Sequence, residues 1–231
     1  MDGTVQFYTR IQSLIHGSMD VLDLGAGRGL NSEANSRIIR ELSLLKGKVR
    51  KVTGVDIDNA VLTNCMLDEA IVYDGQKLPL TDSSIDLIVS DHTFEHISDP
   101  PVVAAEISRV LRPNGWVCAR TPHLLSLLAA ISAIVPNRSH VSVLEHAQPG
   151  RMAHDVFPTF YRMNSSAQLK KLFSPTSWNH YSYTFSPEPA YHCNSKPLYL
   201  AMSVLQYIKQ PILGGEVLLV FMQKKTPPMH S

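Results

Sequence analysis

One stretch constrains the fold of this chain more than any other: V-L-D-L-G-A-G-R-G-L, residues 21–30. An apolar run ends in three glycines at alternate positions, a quarter of the 12 in the chain. Glycine packs no side chain and loses more backbone freedom on folding than any other residue. Three of them at the end of a strand mark a place where something comes close to the backbone. A strand that ends in glycines and opens a helix presents N–H groups to an anionic or polar ligand. The dinucleotide fingerprint G-x-G-x-x-G would need a third glycine at position 30, where this chain has Leu30. The spacing therefore gives a pyrophosphate turn little support.

The rest of the first half alternates. Residues 21–24, 51–55, 70–73, 85–90 and 116–121 read as strands. Between them, residues 31–45 carry Ile38, Ile39, Leu42 and Leu45 at helical spacing, and residues 59–69 and 101–111 also read as helices. The last is stopped by R-P-N-G, where Pro113 cannot continue a helix and Gly115 supplies the turn. Such alternation predicts a parallel sheet covered by helices on both faces. Beyond Pro122 the regularity breaks. Asn164 or Ser165 caps a helix running to Phe173, and residues 180–185 and 216–223 read as late strands around a helix near 197–209.

Composition narrows the function classes. At 231 residues, 44% hydrophobic and 18% charged, the chain suits one well-filled domain. A net charge of +1 provides no field for nucleic acid. Cys65, Cys118 and Cys193 are odd in number and far apart, which argues against a disulfide framework and for a reducing cytoplasm. No metal-ligand spacing occurs. The first ten residues have neither the basic start nor the apolar core of a secretory leader. The longest apolar run, residues 124–135, is too short for the ~20 residues that span a bilayer. It reads as a core or lid helix rather than an interfacial one, since its polar face lacks lysine and arginine.

Acidic residues follow the strands. Asp56 ends the second and can accept from two ribose hydroxyls, Asp74 follows the third and can accept from an adenine amino group, and Asp91 follows the fourth. With V-L-D-L-G-A-G-R-G, G-V-D-I-D, D-G-Q-K-L-P-L-T-D-S-S-I-D-L-I-V-S-D-H-T-F-E-H and E-I-S-R-V-L-R-P-N-G-W in that order, residues 18–121 resemble the class I S-adenosylmethionine-dependent methyltransferases. The likeness is closest to the small-molecule branch that includes the ubiquinone-type enzymes. It implies a Rossmann-like, mostly parallel seven-stranded α/β sheet with an antiparallel last strand, and S-adenosyl-L-methionine as cofactor. It further implies that Asp23, Gly25, Gly27 and Gly29 shape the turn under the methionine part. Asp56 would hold the ribose, Ile57 would lie on the adenine, Asp74 and Gly75 would meet its edge, and Asp91 or the Ser90 backbone would sit near the methionine end.

Six of the ten histidines fall between positions 92 and 154. His92 and His96 stand four apart after the fourth strand, without a metal partner at ligand spacing. His123 follows the fifth strand, which in this fold ends near the donor's methyl. Residues 122–163 are far longer than an ordinary connection and read as a lid-like insertion that builds the acceptor pocket. Their polar groups, among them His140, Glu145 and Asp155, alternate with aromatics. Residues 164–231 complete a single domain. The expected reaction is in-line methyl transfer to a hydroxyl of a small acceptor, a sugar, glycan or secondary metabolite, with His123, His92 or His140 as base. N-methylation and a quinone or lipid acceptor stay open, as does an oligomeric state. A non-catalytic binding protein of the same fold and a nicotinamide-dependent oxidoreductase are the rival classes.

Overall fold

The computed structural model describes residues 3–126, 129, 157–189 and 195–227. Five parallel strands make the first half of the sheet: β1 (Asp20–Leu24), β2 (Lys51–Asp56), β3 (Glu69–Val72), β4 (Ile85–Asp91) and β5 (Leu111–Pro122). Late strands β6 (Trp178–His180), β7 (Tyr183–Phe185) and β8 (Val217–Lys224) finish it. The order is β3-β2-β1-β4-β5-β8-β6, with β7 also on β8, and β8 runs antiparallel to its three neighbours.

Strand alternation sorts the core into two layers. Leu22, Ile88, Val117, Leu218 and Val220 point to one face, where α3 (Pro100–Val110) and α4 (Ser166–Leu172) add Ile107 and Leu169. Val21, Leu87, Val89, Cys118 and Phe221 point to the other, where α1 (Gly3–Gln12) adds the fully buried Phe7 and Ile11. Ser165 caps α4 by accepting from the Gln168 N–H at 3.2 Å.

The structure departs from the sequence reading at five places. There are eight strands rather than seven, because the expected strand over 180–185 is split. The Ser182 hydroxyl accepts from the Phe221 N–H at 3.2 Å, taking the place of a ladder carbonyl. The helix expected over 31–45 is a 3-10 turn (Leu30–Glu33) followed by α2 (Arg37–Ser43), restarted by the Ser36 cap. The helix expected over 59–69 is a single 3-10 turn (Asn59–Thr63). It stops where Asn64 turns its side-chain amide to the carbonyls of Ala26 and Gly27, at 3.0 and 3.2 Å. At R-P-N-G the left-handed residue is Asn114 (φ 64), not Gly115, within a bulge of β5 between Leu111 and Trp116, which pair with Ile85 and Leu87 of β4. The last helix, α5 (Lys196–Leu213), is longer than expected and starts at the Ser195 cap.

Candidate active site

The carboxyl ends of β1, β2 and β4 meet at the glycine turn. All three glycines have positive φ: Gly25 75°, Gly27 48° and Gly29 81°. Their reasons differ. A Cβ on Gly25 would lie 2.2 Å from the Thr93 hydroxyl, and one on Gly29 would lie 2.4 Å from the Asn64 amide oxygen. Those two glycines are demanded by the protein's own packing. A Cβ on Gly27 would meet nothing within 4 Å. Only this glycine borders open space, which is the cradle a ligand needs.

The Gly27 N–H donates to Asp56 Oδ2 at 2.8 Å, and the Asp58 N–H donates to Asp56 Oδ1 at 3.0 Å. Asp56 is thus fixed at the tip of β2 beside the cradle, with lone pairs left for further donors. Next to it Ile57 is 59% exposed, available to an apolar partner. A Cβ on Gly75 (φ 78°) would lie 3.4 Å from Ile57, so the loops after β2 and β3 converge. Asp74 there accepts from the N–H groups of Gln76 and Lys77, at 2.8 and 3.2 Å, which hold its carboxyl below the usual range.

Asp23 lies on the same edge. Burial, then the charges of Asp91 and Asp56, push its pKa up to about 7. A carboxyl that burial first, and two neighbouring carboxylates second, hold partly protonated near neutrality can take a cation. S-adenosyl-L-methionine carries two, a sulfonium and an ammonium, so the residues present fit this group. The expected direct role of Asp91 looks different in the structure. Its carboxylate is held by Arg120 through Nε and Nη2, at 2.7 and 2.8 Å, and faces Tyr8 of α1 at 3.4 Å. Burial opposes its ionisation, yet Arg120 keeps its pKa below the ordinary value. Tyr8 also accepts from Asn31 at 3.3 Å, so α1 is tied to the glycine turn. Arg28 pairs with Glu33 at 3.1 Å.

The loop after β4 leans on the turn, with the Thr93 hydroxyl donating to the Gly25 carbonyl at 3.4 Å. His92 takes a left-handed backbone (φ 58°), its N–H donating to the Arg120 carbonyl at 2.8 Å. Its half-exposed ring sets Nδ1 3.2 Å from Glu95 Oε1 and Nε2 3.9 Å from Asp91 Oδ1. Glu95 is buried and accepts from the Thr121 hydroxyl at 2.6 Å, and that hydroxyl accepts from the Asn164 amide at 2.7 Å. Burial works against a charged Glu95, but His92 and Thr121 outweigh it and lower its pKa. His96 is turned away, donating from Nδ1 to the Pro158 carbonyl at 2.9 Å.

His123 sits elsewhere. It is 8% exposed, beside Gly214 and Lys209 where β8 begins, and its Nδ1 has no hydrogen-bond partner among the described residues. Burial and the Lys209 ammonium lower its pKa, against the Gly215 carbonyl and Glu216. His140, Glu145 and Asp155 lie outside the described residues, as does most of the expected acceptor insertion. Among the described residues no three His, Cys, Asp or Glu side chains gather as a metal site. Sequence reasoning did not single out Asn64, Thr93, Glu95, Arg120 or Thr121, and read Asn164 only as a helix-cap candidate.

Residues 22–119 match the methyltransferase domain family model. A probable S-adenosylmethionine-dependent methyltransferase of Mycolicibacterium smegmatis is 30% identical over 121 residues, 50% of this chain and 43% of that protein. The chain thus spans less than half the length of that relative. A ubiquinone biosynthesis O-methyltransferase of Thiobacillus denitrificans is 25% identical over 58% of this chain and 62% of its own. The putative methyltransferase solved in complex with the Haloferax volcanii Trm112 methyltransferase activator shares the fold, with a TM-score of 0.59 at 18% identity over 97% of this chain and 91% of that one. The matched stretch, residues 22–119, and the sheet described above support a class I S-adenosylmethionine-dependent methyltransferase. S-adenosyl-L-methionine is the cofactor this family and fold imply.

Proposed function

We propose that the protein transfers a methyl group from S-adenosyl-L-methionine to a hydroxyl of a small acceptor, a sugar, glycan or secondary metabolite. The observation that supports this reading best is His92, a half-exposed imidazole held by a buried carboxylate beside the glycine turn. When bound, the cofactor supplies an electrophilic methyl group on sulfur. The chain supplies position and a base. Asp56 would take the ribose hydroxyls, Ile57 and Gly75 the adenine, and Gly27 and Asp23 the methionine part. Glu95 accepts from His92 Nδ1–H and so leaves Nε2 as the proton acceptor. A proton taken there is stabilised by Glu95 and by Asp91 at 3.9 Å. The ubiquinone biosynthesis relative, named as an O-methyltransferase, favours oxygen over nitrogen as the acceptor atom.

On this reading residues 18–121 hold the donor, residues 122–163 the acceptor, and all 231 residues work as one domain. A methyl-transfer screen against sugars, phenols and amines tests it, followed by His92→Ala and His123→Ala on whichever acceptor responds. Loss of turnover in the first variant with donor binding kept supports the His92 reading. Full turnover in both, with an amine as the only acceptor, would replace it by N-methylation that depends on positioning alone.

A further inference from the structure

The hydrogen bonds behind His92 run in one direction only. They begin at Asn164, which is fully buried, as is Thr121. An amide nitrogen has protons and no lone pair to offer, so it only donates. Asn164 Nδ2 gives one proton to the Thr121 hydroxyl at 2.7 Å and the other to the Pro122 carbonyl at 2.9 Å. Its Oδ1 accepts from the Met163 N–H at 3.3 Å. Turning the amide over would set oxygen against the Pro122 carbonyl and nitrogen against an N–H. The backbone therefore fixes which way Asn164 points.

A hydroxyl has a single proton. Asn164 already donates to the Thr121 oxygen, so that proton goes to Glu95 Oε2 at 2.6 Å. This is the length of a hydroxyl bond to an ionised carboxylate, and such a bond favours the charged form. A charged carboxylate only accepts. The proton between Glu95 Oε1 and His92 Nδ1, 3.2 Å apart, then belongs to the ring. Asp91, the other acid near the imidazole, faces Nε2 at 3.9 Å, beyond hydrogen-bond length, and is taken up by Arg120.

We propose that Thr121 and Asn164 are positioning residues that decide, through Glu95, which nitrogen of the neutral His92 ring carries its proton. The inference rests on the reading of His92 as base, and adds what holds that base ready. The same side chains also tie the ring to both ends of segment 122–163. At its start, the Pro122 carbonyl accepts from Asn164, and the Leu124 N–H donates to the Asn164 carbonyl at 2.8 Å. At its end, the N–H groups of Phe160 and Tyr161 donate to the Glu95 carbonyl at 2.7 and 3.3 Å. Glu95 thus holds the returning chain with its backbone and His92 with its side chain.

The test is nitrogen NMR of the isotope-labelled full chain with the His92 ring neutral, its signals assigned by their loss in His92→Ala. The wild-type ring should show a protonated Nδ1 and a bare Nε2. Thr121→Val keeps the shape and removes the proton given to Glu95, so it should turn that single form into a mixture. Turnover on whichever acceptor the screen finds should fall about tenfold or more, with KM little changed. Thr121→Ser should restore both. Asn164→Asp should act like Thr121→Val, because a carboxylate there draws the Thr121 proton away from Glu95. S-adenosylhomocysteine binding in each protein reports the fold and the donor site. A wild-type ring with its proton on Nε2 would overturn the proposal before any variant is made. So would a folded Thr121→Val protein that keeps the wild-type form. Full turnover in His92→Ala, with a ring that still responds to Thr121→Val, would remove the base reading and leave the positioning link in place.

Discussion

The two ends of the carboxyl edge are built on opposite plans. At β1, β2 and β4, polar groups turn inward on one another: Asn64 holds the glycine turn, Gly27 donates to Asp56, and Asp91 is clamped by Arg120. At β5 and α5 the surface is apolar and outward, with a buried His123 behind it. The first arrangement is tightly hydrogen-bonded, and on the proposed reading it receives the donor. The second presents area.

The comparison breaks most easily at His92. If the base belongs to the polar end, His92→Ala should lower turnover by ~10²–10⁴ and leave donor affinity unchanged, while His123→Ala costs much less. Equal losses would move the chemistry toward the β5 end. Glycine 27 tests the cradle. Gly27→Val puts a branched side chain into the one open position and into a left-handed backbone, so donor affinity should fall by more than about a hundredfold. Gly25→Ala and Gly29→Ala should instead unfold or loosen the turn, seen as a lower melting temperature, because they strike Thr93 and Asn64.

Asp56→Ala removes the ribose acceptor and should weaken S-adenosylhomocysteine binding about tenfold to a hundredfold, from ~1.5–3 kcal/mol of charged hydrogen bonding. The smallest expected effect is on pH. Asp23 is protonated below about 7 in the free protein. A cationic ligand prefers its ionised form, so binding should release a proton near neutrality. Affinity should then fall as pH drops through that value, by at most about tenfold per pH unit. Calorimetry in two buffers of different ionisation heat measures the proton count, and Asp23→Asn should abolish the pH dependence.

The polar end was largely legible in the sequence because its signals are local. A strand running into glycines and an acidic residue at a strand tip carry their geometry within a few positions. Which glycine borders open space was not legible, since Thr93 and Asn64 approach from loops 68 and 35 residues away from Gly25 and Gly29. The helical periodicity over 31–45 and 59–69 misled for a related reason: Ser36 and Asn64 bond backbone groups and break the helices it implied. Helix α1 left a signal that went unused, Phe7 and Ile11 four apart on one face.

The central claim is that the cradle at Gly27 with Asp56 and Asp23 is a site for the sulfonium donor and its product. Isothermal titration of the full chain with S-adenosylhomocysteine tests it most directly. The account predicts a single saturable site of micromolar affinity that Gly27→Val eliminates in a folded protein. No heat with S-adenosylhomocysteine, beside saturable binding of NAD, would contradict it.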